Sequence, residues 1–254
     1  MKTSLLFYPF IFILLFQPYN KVSAQATQPD TAFLQNAIAG AVESYRDAVG
    51  LQAHLYSGPE YVSQVIPYLE GHQFFDDKTP LAGAVLYDGA WFYNVPMLYD
   101  VVIDEVAIYH PGNGISQRLV KEKVHKFMLR GHTFILLSND STTADSPVKA
   151  GFYDLLYKGD LQVLVKREKN IQERATSKGM EGNYEVVDKY YLLKEGAYHQ
   201  VKSKRSVYSV LRDEKKQLQK FVRANKLKFR RNREEALVKV AQQYDTLKHE
   251  SPNQ

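Results

Sequence analysis

Between residues 81 and 201 the apolar residues recur mainly at period two, and short turn signals stand where connecting helices would otherwise be needed. Parallel strands need crossovers of about a dozen residues or more, so this pattern restricts the region to antiparallel pairing. Tyr87-Asp88-Gly89 supplies the Asp-Gly pair suited to the positive φ of a hairpin turn. After it, Trp91, Tyr93, Val95, Met97, Tyr99, Val101 and Ile103 share one phase, with Asn94, Pro96, Asp100 and Asp104 among the alternates. A long half-buried strand is expected there, bent or at an edge where Pro96 removes a donor. Asp104-Glu105 turns the chain, and further strands are expected near residues 106–108, 115–120, 124–129 and 133–137, with Gly131 in the last turn. Residues 152–157 and 161–165 should pair across Lys158-Gly159-Asp160, and residues 185–193 and 198–201 across Glu195-Gly196. Residues 138–146 form the most polar loop, and residues 168–183 read as exposed and mobile.

Helical spacing is confined to the two ends. Behind a cap at Asp30 or Thr31, Phe33, Leu34, Ala37, Ile38, Ala41, Val42 and Tyr45 form one apolar face, stopped by Gly50. A face this wide needs a partner, and a sheet is the expected one. Residues 51–80 are irregular but rich in aromatics. In the tail, Ser206 starts a short helix, and Asp213 caps another that carries Leu218, Phe221 and Val222. Asn232 with Glu235 resembles a capping box ahead of Leu237, Val240, Ala241, Tyr244 and Leu247. The expected fold is α+β: a curved antiparallel β-meander of about eight to ten strands, with an N-terminal helix and a C-terminal helical hairpin. Residues 25–200 form the mainly β domain, and residues 201–254 a basic helical tail packed on it.

Residues 1–24 have the layout of a secretory signal peptide. Lys2 gives the positive start, residues 5–16 an apolar run broken by Pro9, and Val22-Ser23-Ala24 a small-residue cleavage site. The run is 12 residues long, against roughly 20 for a membrane-crossing helix. The chain has no cysteine, which excludes disulfides, thiolate metal sites, a cysteine nucleophile and a lipid-modified N-terminal cysteine. An exported chain without disulfides points to a bacterial envelope: periplasmic, associated with the outer membrane or released, and not a lipoprotein.

The net charge of +5 conceals an asymmetry. Residues 25–200 carry 16 basic and 22 acidic side chains, whereas residues 201–254 carry 15 basic and 6 acidic, a difference of +9. The dense part of the run includes Lys202, Lys204, Arg205, Lys216, Lys220, Arg223, Lys226, Lys228, Arg230, Arg231 and Arg233. Of these, Lys216, Lys220, Arg223, Lys226, Lys228, Arg230 and Arg231 are candidates for binding an anionic surface, either lipid headgroups or a glycan. The plainer alternative is a solvated helix face, and export argues against nucleic acid.

The other candidate surface is the pair of aromatic phrases Tyr56-Ser57-Gly58-Pro59-Glu60-Tyr61 and Gly71-His72-Gln73-Phe74-Phe75. Tyr56, Glu60, Tyr61, His72 and Phe74 would form a ligand or partner site if the loops converge, with Glu60 and His72 as an acid/base pair. Otherwise Glu60 pairs locally and His72 satisfies a loop carbonyl. The histidines, at 54, 72, 110, 125, 132, 199 and 249, show no spacing of a helical or strand metal site, so neither metal nor cofactor is expected. No GxSxG elbow, phosphate loop or dinucleotide fingerprint occurs.

Taken together, Leu55-Tyr56-Ser57-Gly58-Pro59-Glu60-Tyr61, Gly71-His72-Gln73-Phe74-Phe75, Tyr87-Asp88-Gly89 with Asn94-Val95-Pro96, Tyr190-Tyr191-Leu192-Leu193 and Asn225-Lys226-Leu227-Lys228-Phe229-Arg230 resemble a group of uncharacterised exported proteins of Bacteroidota. The resemblance spans most of the mature chain and implies a Gram-negative envelope location, with no catalytic residues to carry over. The expected role is a non-catalytic binding module whose partner is an envelope protein or a small apolar ligand. One alternative is a lipid or small-molecule carrier with an unfilled cavity in the curved sheet. The other is a hydrolase using Glu60 and His72.

Overall fold

The computed structural model describes residues 33–38, 40–41, 44, 54–63, 65–110, 112, 114–138 and 146–250. The signal peptide at residues 1–24, the cap at Asp30 or Thr31, the stop at Gly50 and most of the polar loop at 138–146 lie outside them. The chain divides into two compact units, residues 1–48 and 49–254. In the first, residues 33–38 are helical (α1).

The second unit is built on antiparallel β-structure followed by helices. Its strands are β1 (Leu69–Glu70), β2 (Leu81–Tyr87), β3 (Ala90–Asp100), β4 (Glu105–Tyr109), β5 (Ser116–Arg118), β6 (Val124–Leu129), β7 (His132–Leu137), β8 (Gly151–Lys158), β9 (Gln162–Lys166), β10 (Lys169–Thr176), β11 (Gly179–Val186), β12 (Lys189–Lys194) and β13 (Ala197–Val201). Helices α2 (Lys204–Val210), α3 (Lys215–Ala224) and α4 (Arg233–Glu250) close the chain. The main sheet has the order β13-β12-β9-β8-β7-β6-β2-β3-β4-β5, and a smaller one the order β1-β11-β10.

The main sheet is two meanders joined back to back. Strands β2 to β5 step outward in one direction. A short 3-10 turn at Lys121–Lys123 then leads into β6, which pairs with the other edge of β2 and starts the second run. The stretch expected to be mobile, residues 168–183, is instead most of the β10–β11 hairpin, paired from Lys169↔Val186 to Thr176↔Gly179. Polar side chains on both faces hide this strand pair from a search for alternation, because neither face enters the core.

The single phase expected from Trp91 to Ile103 is also broken. Gly83 pairs with Val95 and Val85 with Phe92, so β3 carries one extra residue. Asn94 absorbs it at φ 54°, a left-handed conformation that Asn tolerates better than most residues. The bulge reverses the faces. Val95, Met97 and Tyr99 are buried, while Trp91 and Tyr93 stack on each other at 5.7 Å and Tyr93 stays exposed. Residues 101–104 form the turn rather than more strand, with Asp104 at φ 60°.

One face of the sheet is filled in two ways. Across β3, β6, β7 and β8, Phe127 stacks on Phe134 at 4.6 Å, and Tyr99 and Phe152 meet them edge-on. Across β9, β12 and β13, Val163, Val165, Leu192 and Val201 are covered by Leu218 and Val222 of α3 and Leu237, Val240, Ala241 and Tyr244 of α4. Helix α2 begins at Lys204, two residues before the expected Ser206. Ser203 is its cap, and Ser206 completes a capping box. Asp213 does not cap α3, whose N-cap is Glu214. Its carboxylate instead takes Lys194 at 3.0 Å, Lys248 at 2.7 Å and the Tyr244 hydroxyl at 2.7 Å, fastening the end of α4 to β12.

Candidate anion-binding site

The two aromatic loops do converge, through their buried members. The backbone at Pro59 and Tyr61 pairs with Arg118 and Ser116 along the outer edge of β5. That at Gln73 and Phe75 pairs with Val101 and Tyr99 along β3. Tyr61 and Phe74 meet at 6.3 Å, and the Tyr61 hydroxyl donates to buried Asp100 at 2.7 Å. Both belong to a small core with Leu98 and Ala107. His72 stacks on Phe74 at 6.2 Å, and burial, aided by Lys169, lowers its pKa. Tyr56 lies edge-on to His110 at 5.1 Å. Glu60 is exposed and bridged to Gln117, and among the described residues no hydrogen bond or ion pair joins it to His72. Tyr61, His72 and Phe74 are thus packing residues, and the Glu60/His72 acid/base pair gains no geometric support.

The tail cations are arranged differently. At the end of α3 the Leu227 N–H returns to the Val222 carbonyl at 3.1 Å, with Lys226 at φ 51° making the turn. The Arg231 and Asn232 N–H groups then both bond to Lys228 O, curling the connector tightly. Leu227 and Phe229 consequently tuck against the helix–sheet core, while Lys226, Lys228, Arg230 and Arg231 are exposed. Arg233 lies over the Tyr190 ring at 4.9 Å and donates to the Lys202 carbonyl, joining the start of α4 to the β13–α2 link.

Two adjoining clefts of about 730 and 660 Å³ result, sharing Phe229, Arg230, Arg231 and Arg233. One wall is Lys202, Ser203, Lys204 and Arg205, and the floor is Leu227 and Phe229. Lys216, Lys220 and Arg223 sit apart on the exposed face of α3. The carboxylates nearest the clefts, Glu234 and Glu235, and the buried Asp245 are already engaged. Glu234 takes Arg167 at 2.5 Å, Glu235 takes Lys239 at 2.6 Å, and Asp245 accepts from the Leu161 N–H and the Tyr157 hydroxyl at 3.0 Å each. Among the described residues, none of Lys202, Lys204, Arg205, Lys216, Lys220, Arg223, Lys226, Lys228, Arg230 and Arg231 is in an ion pair. The second cleft is lined by cations over an apolar floor, and the first also carries Glu234 and Glu235, whose ion pairs are with Arg167 and Lys239.

Beneath α4 lies a node that the sequence reading missed. Arg167, buried at the end of β9, gives Nε and Nη2 to Asp154 (3.0 and 2.5 Å) and Nη1 to Asp188 (2.7 Å) and Glu234. His132 Nδ1 lies 2.7 Å from the same Asp154 oxygen, and that hydrogen bond raises the histidine pKa against the opposing effect of burial. Phe75 closes the node, edge-on to His132 at 5.1 Å and beneath Arg167 at 5.6 Å. The available signal was a lone carboxylate within the apolar run Phe152-Tyr153-Asp154-Leu155-Leu156-Tyr157, because a buried charge requires a partner. Among the described residues no group of His, Asp or Glu side chains is placed to hold a metal ion, and no helix is long and apolar enough to cross a membrane.

Comparison with family models, with curated proteins and with solved structures finds no match. The functional reading of this groove rests on its geometry and charge.

Proposed function

We propose that this protein is an exported, non-catalytic binding module of the cell envelope that holds anionic groups, such as lipid headgroups or an acidic glycan, in the groove between α2 and the α3–α4 connector. The observation that carries the reading is the division of charge in the tail: Glu234, Glu235 and Asp213 are each engaged by a cation outside the groove, whereas Lys202, Lys204, Arg205, Lys228, Arg230 and Arg231 are exposed and in no ion pair among the described residues. The layout of the first 24 residues supports export. The carrier alternative needs an unfilled sheet face, and aromatic stacking with helical cover across that face works against it.

Magnitudes set the expected affinity. Each Lys or Arg near an anionic bilayer contributes about 1 kcal/mol, so Lys202, Lys204, Arg205, Lys228, Arg230 and Arg231 together supply about 6 kcal/mol, a Kd in the tens of micromolar. Vesicle flotation tests this. Binding is expected to vesicles containing phosphatidylglycerol and not to phosphatidylcholine alone, to weaken steeply with salt, and to be abolished by combined Lys228→Glu, Arg230→Glu and Arg231→Glu. Equal binding to both vesicles, or binding unchanged in the triple variant, would overturn the proposal. Competition by a soluble acidic polysaccharide separates the two sources of anion.

A further inference from the structure

The two clefts of the basic groove differ in sign. Glu234 and Glu235 line the first, whereas among the described residues no carboxylate lines the second. The walls of the second come from distant parts of the chain: residues 202–205 at the β13–α2 link and residues 227–231 of the α3–α4 connector. Arg233 ties them together, since its guanidinium donates to the Lys202 carbonyl while lying over the Tyr190 ring. The fold itself therefore sets the width of the opening.

Within the connector, polarity alternates. Lys226, Lys228 and Arg230 are exposed, and Leu227 and Phe229 between them are half-buried. The helix–sheet core covers one side of these two apolar side chains, and the other side faces the second cleft. A bare anion has no use for such a floor, because an ion set over apolar carbon gives up water without a replacement. A glycan fits no better: hydroxyls turned towards Leu227 and Phe229 would lose water and gain no hydrogen bond. A flat membrane surface is met by cations that project. A concave seat of about 660 Å³ is instead of the size that surrounds one small molecule, roughly 300–1,000 Å³.

One ligand class uses every part of this seat. Methylenes gain from leaving water, so the floor suits an acyl chain. Arg205, Arg230 and Arg231 bring planar forks that match the oxygens of a phosphate. Given that the groove binds anions, the reading on which this rests, we infer that the second cleft seats a single phosphate-headed amphiphile. Its head lies among the cations of the two walls, and its first methylenes lie on Leu227 and Phe229. The floor is only two side chains long, so the rest of the acyl chain stays outside the cleft.

Alkyl phosphates titrated into the full chain, below their micellar concentrations and followed by amide chemical shifts, read the floor directly. Full burial of a methylene tightens binding about fourfold, and half-coverage about twofold. Hexyl phosphate, four methylenes longer than ethyl phosphate, should therefore bind about tenfold more tightly or better, with large shifts at Leu227 and Phe229. Hexyltrimethylammonium has the same chain and the opposite charge, and it should leave these amides unmoved. Equal shifts from both hexyl compounds would overturn the proposal, because an apolar patch alone would then account for the binding. Equal affinity for ethyl and hexyl phosphate, or no binding of either, also overturns it. If vesicles containing phosphatidylglycerol still bind in that case, the groove remains a surface for headgroups and only the single-molecule seat is lost. Failure of the phosphates and the vesicles alike removes both readings.

Discussion

The inner and outer faces of the tail carry charge by opposite rules. Inside, one guanidinium is surrounded by Asp154, Asp188 and Glu234, and Arg167 is buried with every nitrogen bonded. Outside, the connector presents Lys226, Lys228, Arg230 and Arg231, none of them in an ion pair among the described residues, although Glu234 and Glu235, held by Arg167 and Lys239, line the same clefts. The inner charges have left water, so removing one partner strands the others at full desolvation cost. The outer charges remain solvated, where their worth to folding is close to zero. The same residue types therefore hold the fold together on one face and are left free for a partner on the other.

The largest effect should come from breaking the inner node. Arg167→Met leaves Asp154 buried without its main counter-charge, and a loss of about 3–5 kcal/mol is expected in urea denaturation. A loss below about 1 kcal/mol would show that the node is not the tail's anchor. At the other end of α4, Asp213→Asn should cost about 1–2 kcal/mol, since it weakens charge-assisted bonds to Lys194 and Lys248 at a partly exposed site. Those cations hold the Asp213 carboxyl well below its usual range despite burial. Its contribution is thus present above the unfolded pKa near 3.9 and is lost as pH falls further. The Asp213→Asn variant, denatured at stepped pH, should lack that acid-side slope.

These two sites also show what was legible beforehand. The antiparallel class, the Asp88-Gly89 hairpin and the helical tail followed from period and turn chemistry, because both are local properties. Asp213 was expected to cap α3 on its position alone, and its bonds to Lys194 and Lys248 depend on distant chain segments that no local rule sees. The node is more non-local still, joining β7, β8, β9, the β11–β12 link and α4. Nor does a polar strand pair such as β10–β11 show alternation, since alternation records burial and these strands have almost none. For the groove, the excess of cations was plain in the sequence. What the sequence did not contain was that Glu234 and Glu235 are held by Arg167 and Lys239 rather than by the groove cations beside them.

His132 tests the inner face by pH. Its hydrogen bond to Asp154 raises the folded pKa above the unfolded value near 6.5, with Arg167 opposing and Glu234 assisting. The linked stability is then fully present below the unfolded pKa and lost as pH rises through the folded one. Urea midpoints should fall across that window in the wild type and stay flatter in His132→Asn, with a difference of about 1 kcal/mol or less. A wild-type slope of the opposite sign would mean that burial outweighs the carboxylate.

The smallest effect on stability belongs to the outer face, where the contrast is sharpest. Arg230→Gln with Arg231→Gln removes two exposed cations that bond to nothing among the described side chains, so stability should move by no more than about 0.5 kcal/mol. If the acidic body were the unseen partner of these arginines, the change would destabilise the fold, and added salt would destabilise the wild type likewise. If the arginines repel one another without a ligand, the change would stabilise slightly, and salt would narrow the gap between variant and wild type. The second pattern is expected. It would mean that the free protein tolerates a small self-repulsion in the groove, which an anion relieves on binding.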